Sequence, residues 1–126
     1  MILDTGFLVA VDRGDLQTKT FLERAEQEGR TLHTTEAVIA QAWRAGARQA
    51  MLARFLHGIT THSLSNGRLV GELLARSQTS DVVDAHLALT ARLHGLNIVT
   101  GDPDGLTLLA GLLPSKPAVH TWPPST

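Results

Sequence analysis

Four aspartates carry the clearest chemical potential in this chain: Asp4, Asp81, Asp84 and Asp102. Asp4 directly follows the apolar pair Ile2-Leu3, at the end of what reads as a buried strand, and an acid in that place needs a partner. Asp81 and Asp84 are three residues apart, so on a helix they share one face. Asp102 stands just past a second apolar run, in Val99-Thr100-Gly101-Asp102-Pro103-Asp104. Carboxylates gathered at one point repel one another and raise each other's pKa unless a cation lies among them. Oxygen ligands of this kind suit Mg²⁺ or Mn²⁺, which keep several waters and bind phosphates. Such a metal activates a water and stabilises the leaving oxygen of a phosphodiester. Plainer roles compete with this chemistry. Asp81 can cap a helix, Asp84 in a first turn favours the helix dipole, and Asp102-Pro103-Asp104-Gly105 is an ordinary turn sequence.

The elements that must bring these acids together alternate along the chain. Residues 1–4 read as a strand. Residues 7–11 open a helix, Arg13-Gly14-Asp15 make a turn, and 16–28 form a second helix stopped by Gly29. Residues 30–34 are a second strand. Thr34 and Thr35 can cap a long helix over 36–55, with a break at Gly46 as its weak point. Strands are predicted at 58–64, 97–100 and 118–122, and helices at 66–76, 80–94 and 104–112. This alternation predicts an α/β domain with a mostly parallel sheet and helices on both faces. In such sheets functional groups gather beyond the carboxyl ends of the strands. A helix leading into a strand parallel to the first must begin at that edge. Asp81 and Asp84 therefore start near Asp4 and Asp102.

Composition narrows the function classes. The 126 residues fit one domain, placed at 1–122 with a short tail at 123–126, and 43% hydrophobic content supplies a core. Without cysteine the chain has neither disulfides nor thiolate metal sites, which fits a cytoplasmic protein. No apolar run spans a membrane, and the first residues show no signal peptide. With a net charge of −1, binding of nucleic acid requires a local basic patch rather than a global field. The basic residues are mostly arginine. The six histidines show no zinc spacing and read as surface or core residues, and Trp43 and Trp122 read as packing residues. The Asp4-Thr5-Gly6 triplet also occurs in aspartic proteases, but those are β-rich. A haloacid-dehalogenase phosphatase would need a second Asp where Gly6 stands, and the acids and lysine of a response-regulator receiver are missing.

Three segments together resemble the PIN-domain family. Leu3-Asp4-Thr5-Gly6 is similar to its opening strand and first metal-binding Asp. Asp84-Ala85-His86-Leu87-Ala88 is similar to its D-A-x-x-A helix start, and Thr100-Gly101-Asp102 to its T-x-D turn. The resemblance runs from residue 1 to about 122. It implies a three-layer sandwich with a five-stranded parallel sheet in the order 3-2-1-4-5. It further implies metal-dependent RNA cleavage leaving a 5′-phosphate and a 3′-hydroxyl. A cognate antitoxin, as in VapC-type toxin–antitoxin pairs, and a homodimer are also implied. Carried over by position, Asp4, Asp84 and Asp102 are the metal ligands, with Asp81 as a helper. The chain departs from the family at Gln41, where a Glu is usual. An amide orients a water or substrate but brings no charge. The alternative is thus a PIN module that binds RNA or protein without cutting it. On one continuous helix Gln41, Arg44 and Arg48 would share a face, placing both arginines against RNA phosphates.

Overall fold

A computed structural model describes residues 1–44 and 49–122. Five short strands, β1 (Ile2–Leu3), β2 (His33–Thr35), β3 (Thr60–His62), β4 (Ile98–Thr100) and β5 (Val119–Thr121), form one sheet in the order β3-β2-β1-β4-β5. Every pairing is parallel, with Ile2 opposite both His33 and Ile98, and Thr100 opposite Thr121. All five carboxyl ends therefore open on one edge. The central strands are apolar on both faces because helices cover both. Ile2, Leu3 and Ile98 are fully buried, each contributing about 1.5–3 kcal/mol.

Seven helices flank the sheet among the described residues: α1 (Thr5–Asp12), α2 (Leu16–Gln27), α3 (Glu36–Ala42), α4 (Ala50–His57), α5 (Gly67–Ser77), α6 (Val82–His94) and α7 (Pro103–Gly111). One group packs α1 against α2, α3 and α4; another joins α5, α6 and α7. Together with the sheet they make the expected three-layer α/β sandwich. Short polar side chains start the helices. Asp4 accepts from Phe7 N, Asp15 from Gln17 N, Thr35 from Val38 N and Asp81 from Asp84 N. Each cap contributes about 1 kcal/mol. Of the two threonines expected as caps, Thr35 takes the role, while Thr34 donates across the sheet to the Leu3 carbonyl at 2.9 Å.

Two features hold the acid-bearing elements in place. Residues from Ala85 through Ala91 of α6 are all buried, so the middle of this helix is enclosed all round and anchors the more exposed first turn that carries Asp84. Gly95 ends it with φ of 64°, a left-handed conformation that glycine adopts without strain. Phe7, Phe21 and Trp122 meet with ring centroids 4.8 to 5.4 Å apart, fastening the end of β5 to α1 and α2.

The predicted helix over 36–55 is two helices. The first ends at Ala42, where Trp43 turns extended; Gly46, the expected weak point, lies outside the described residues. Buried Gln49 explains why the chain can leave the helix there. Its amide donates to the Ala42 carbonyl at 2.9 Å and its oxygen accepts from Arg44 N at 2.7 Å. These bonds satisfy backbone groups that the interrupted helix leaves open. The predicted tail 123–126 also lies outside the described residues.

Candidate functional site

At the carboxyl edge, β1 delivers Asp4 and β4 delivers Thr100, Gly101 and Asp102. Asp4 is 8% exposed, and its partners are specific. Oδ1 accepts from Phe7 N at 3.0 Å; Oδ2 accepts from the Thr100 hydroxyl at 2.5 Å and from Gly101 N at 3.2 Å. Charge-assisted bonds of this kind are about twice as strong as neutral ones. The Thr100 oxygen in turn accepts from Asp102 N at 2.9 Å. A relay therefore runs from Asp102 through Thr100 to Asp4 and fixes the start of α7 against the end of β1. Asp102 stands at the N-cap position of α7 yet makes no side-chain cap bond. Its carboxylate is left to the solvent side of the site.

Asp84 closes the cluster from α6. Its pKa is raised from 3.8 to about 6, first by burial and then by the charge of Asp81, a hydrogen bond with Asp81, and the charges of Asp4 and Asp102. Its Oδ2 lies 3.8 Å from where a Cβ on Gly105 would stand, beside the first turn of α7. The first-turn peptide groups of a helix favour negative charge at such a place. The other three predicted acids thus all act on Asp84. Asp81 also fills the plainer role foreseen for it, accepting from Asp84 N at 3.0 Å.

Gln41 reaches the same edge from α3. Its Oε1 accepts from the Thr5 hydroxyl at 2.6 Å, and Thr5 immediately follows Asp4. Its Nε2 has no hydrogen-bond partner among the described residues and remains a donor. Gln41 and Arg44, predicted to share a face with Arg48, do not lie on one helix. The helix ends at Ala42, the extended Trp43 redirects the chain, and Arg44 lies beyond the break. Arg48 falls outside the described residues. Residues given no role from sequence are Thr100 and Thr5, quoted only as parts of motifs, and Gln49. The first two adjoin the acids in sequence, which was the available signal. Gln49 gave none, because its partners lie at a break that periodicity hides.

Among the described residues no three acids or imidazoles are grouped so as to hold a metal ion as they stand. The donor chemistry nonetheless fits a hydrated divalent cation. The candidate donors are all carboxylate oxygens, whose repulsion a positive charge would relieve, and Mg²⁺ binds through one or two carboxylates while keeping waters.

No functionally curated protein matches the chain by sequence. Solved structures do match its fold. VapBC2 from Rickettsia felis, bound to a DNA fragment from its promoter, superposes with a TM-score of 0.71 at 18% identity, covering 96% of this chain and 97% of that one. A toxin–antitoxin complex from Klebsiella pneumoniae gives 0.70 at 19% identity, covering 95% of each chain. FitAcB from Neisseria gonorrhoeae gives 0.61 at 15% identity, covering 94% of each. The family model of the PIN domain matches residues 1–111, from the first strand through the last helix. On that match and this fold, the chain belongs to the PIN-domain family.

Proposed function

We propose that this chain is a Mg²⁺- or Mn²⁺-dependent endoribonuclease, with the whole of 1–122 as its catalytic domain. The observation that supports it is the relay from Asp102 through Thr100 to Asp4, with Asp84 pressed against the start of α7. This arrangement gathers three carboxylates from separate parts of the chain at one sheet edge. PIN domains are generally nucleases, and such a cluster is what phosphodiester hydrolysis with a divalent ion requires.

Asp4, Asp84 and Asp102 would hold the metal, with Asp81 positioning Asp84 through its backbone N–H and its charge. When bound, the ion supplies a nucleophilic hydroxide and neutralises charge on the phosphate. The protein's own part is orientation. Phe7 N, Gly101 N and the Thr100 hydroxyl hold the Asp4 side chain in one direction. Gln41 Nε2 is available to donate to a phosphate oxygen or to the attacking water. Arg44, and Arg48 if it lies near, would contact the RNA backbone.

The solved structures of similar fold include toxin–antitoxin complexes, so we further assign this chain the toxin's place in such a pair. Its partners would be RNA, a cognate antitoxin and a second copy in a homodimer, in the cytoplasm. Among the described residues no helix is long and apolar enough to cross a membrane.

One observation favours a second reading, a PIN module that binds without cutting. The amide oxygen of Gln41 is already taken by Thr5, so this position offers the site a donor and no negative charge. Cleavage of a small-RNA pool with Mn²⁺ separates the two readings. The natural chain should yield discrete fragments, whereas Asp4→Asn and EDTA-treated protein should not. Equal cleavage by Asp4→Asn, or none by the natural chain, leaves the binding module. A large gain on Gln41→Glu would show that the natural chain is impaired at this position.

A further inference from the structure

Three histidines distant in sequence meet where the sheet ends at β3. His33 begins β2, His62 ends β3 and His94 ends α6. His33 Nδ1 lies 2.9 Å from His62 Nε2, with 12° between the ring planes and centroids 5.2 Å apart. The His94 ring lies against His62, with 4.4 Å between their centroids. We propose that these three rings form an acid-sensitive latch: uncharged, they tie the edge strand β3 to β2 and to the end of α6, and protonation loosens it. The latch is independent of the nuclease reading.

The facing nitrogens hold room for one proton. His33 Nε2 lies 3.1 Å from the Thr31 hydroxyl. With Nε2–H donating there, the Nδ1 lone pair of His33 accepts from His62 Nε2–H. A charged imidazole carries N–H on both nitrogens. Charging both rings therefore sets N–H against N–H and turns the bond into a like-charge contact. His62 is the critical ring, because it meets His33 and His94 at once.

Nothing among the acting charges compensates. Those acting on His33 are the Met1 ammonium, His62 and His94; the one acting on His62 is His94. Buried His86 on α6 in turn feels the charge of His62, and Arg92 shares the last turn of α6 with His94. All are positive when ionised, and none is a carboxylate. Burial first, and then these charges, lower the pKa of His33 and His62 below the ordinary 6.5. The unfolded chain thus binds protons more readily than the fold does. Stability falls as pH drops below about 6.5 and stops falling only once the folded-state pKa values are passed. The loss should appear first at β3. This strand has three residues, pairs only with β2 and has no fully buried residue, so it opens at low cost.

The test compares thermal melts of the natural chain with those of His62→Asn, His94→Asn and His120→Asn, near pH 7.5 and near pH 5.5. Asparagine keeps a donor for His33 but takes up no proton. Protonation of Asp84 acts with the opposite sign over part of this range, and it cancels because each comparison is made at one pH. Between the two pH values the natural chain should lose at least about 3 °C more than His62→Asn, and His120→Asn should follow the natural chain. In the natural chain the His62 imidazole should titrate below pH 6.5 by NMR. Hydrogen-exchange protection of the β3 amides, corrected for the intrinsic rate, should drop more on acidification than that of β1. Equal losses in the natural chain and folded His62→Asn, a His62 titration at or above pH 6.5, or unchanged β3 protection overturns the latch. If His62→Asn does not fold, His94→Asn at the exposed helix end decides by the same comparison.

Discussion

The two walls of the acidic site are built differently. On the β1–β4 wall, Asp4 is buried and accepts from three donors, two of them backbone N–H groups. On the α3 wall, Gln41 is exposed and is held by a single side-chain bond, just before the helix breaks. One wall is part of the fold; the other is attached to it. A ligand on the first is placed before any substrate arrives, as electrostatic preorganisation requires. A group on the second can adjust to what binds. Gln41, where the resemblance read from sequence leads one to expect Glu, falls on the adjustable wall, where a change costs the fold least.

The largest effect that sharpens this contrast is on stability. Asp4→Ala strands the Thr100 hydroxyl and the Phe7 and Gly101 N–H groups, and should cost about 2–4 kcal/mol in urea unfolding. Gln41→Ala should stay within about 0.5 kcal/mol. Equal losses would erase the distinction between the walls. Next is Gln49→Ala, which removes the bonds bridging the break and should cost about 1–3 kcal/mol. If its cost is negligible, the α3–α4 break does not depend on that amide.

A smaller effect depends on pH. In the fold, the Asp84 pKa is about 6, above its ordinary 3.8. The folded state therefore binds the proton more tightly than the unfolded chain. Ionising Asp84 lowers stability progressively from about pH 4 to pH 6, and the penalty is complete above that. In metal-free protein, Asp84→Asn should then stabilise by on the order of 1 kcal/mol at pH 7, after allowance for solvent screening, and by nothing near pH 3.5. Thermal melts at both values check this. A gain of the same size at both would assign the effect to packing. Smallest is Thr5→Val, which frees Gln41 Oε1 with little change in melting temperature. Its effect should appear in the KM for RNA rather than in folding, and an unaltered KM would mean that the Thr5 contact does not orient Gln41.

The rigid wall was also the legible one. An acid after a buried strand, acids three apart at a helix start and an acid after a late strand are local patterns. Parallel topology converts them into convergence at one edge and helices on both faces, while the sheet order came from the resemblance to the PIN-domain family. The region from Gln41 to Arg48 was not legible. Its apolar spacing continues a helical period, whereas the chain is turned by a side chain six residues beyond Trp43, where the helix stops. Periodicity records which face is buried and does not register a hydrogen bond that replaces a turn. The histidines were unreadable for another reason. His33, His62 and His94 lie ring to ring, yet nothing in their spacing foretells it, because β2, β3 and α6 bring them together only in the fold.

The two tryptophans give the molecule optical reporters at either wall. Trp122 is 6% exposed in its aromatic cluster, and Trp43 is 37% exposed at the helix break next to Gln41 and Arg44. Their emission should therefore separate, blue-shifted and shielded for the first, red-shifted and quenched by iodide for the second. Binding of RNA or a protein at the adjustable wall would dim or shield the red component alone. Loss of the blue component would report undocking of the last strand, so a single spectrum distinguishes occupancy from unfolding.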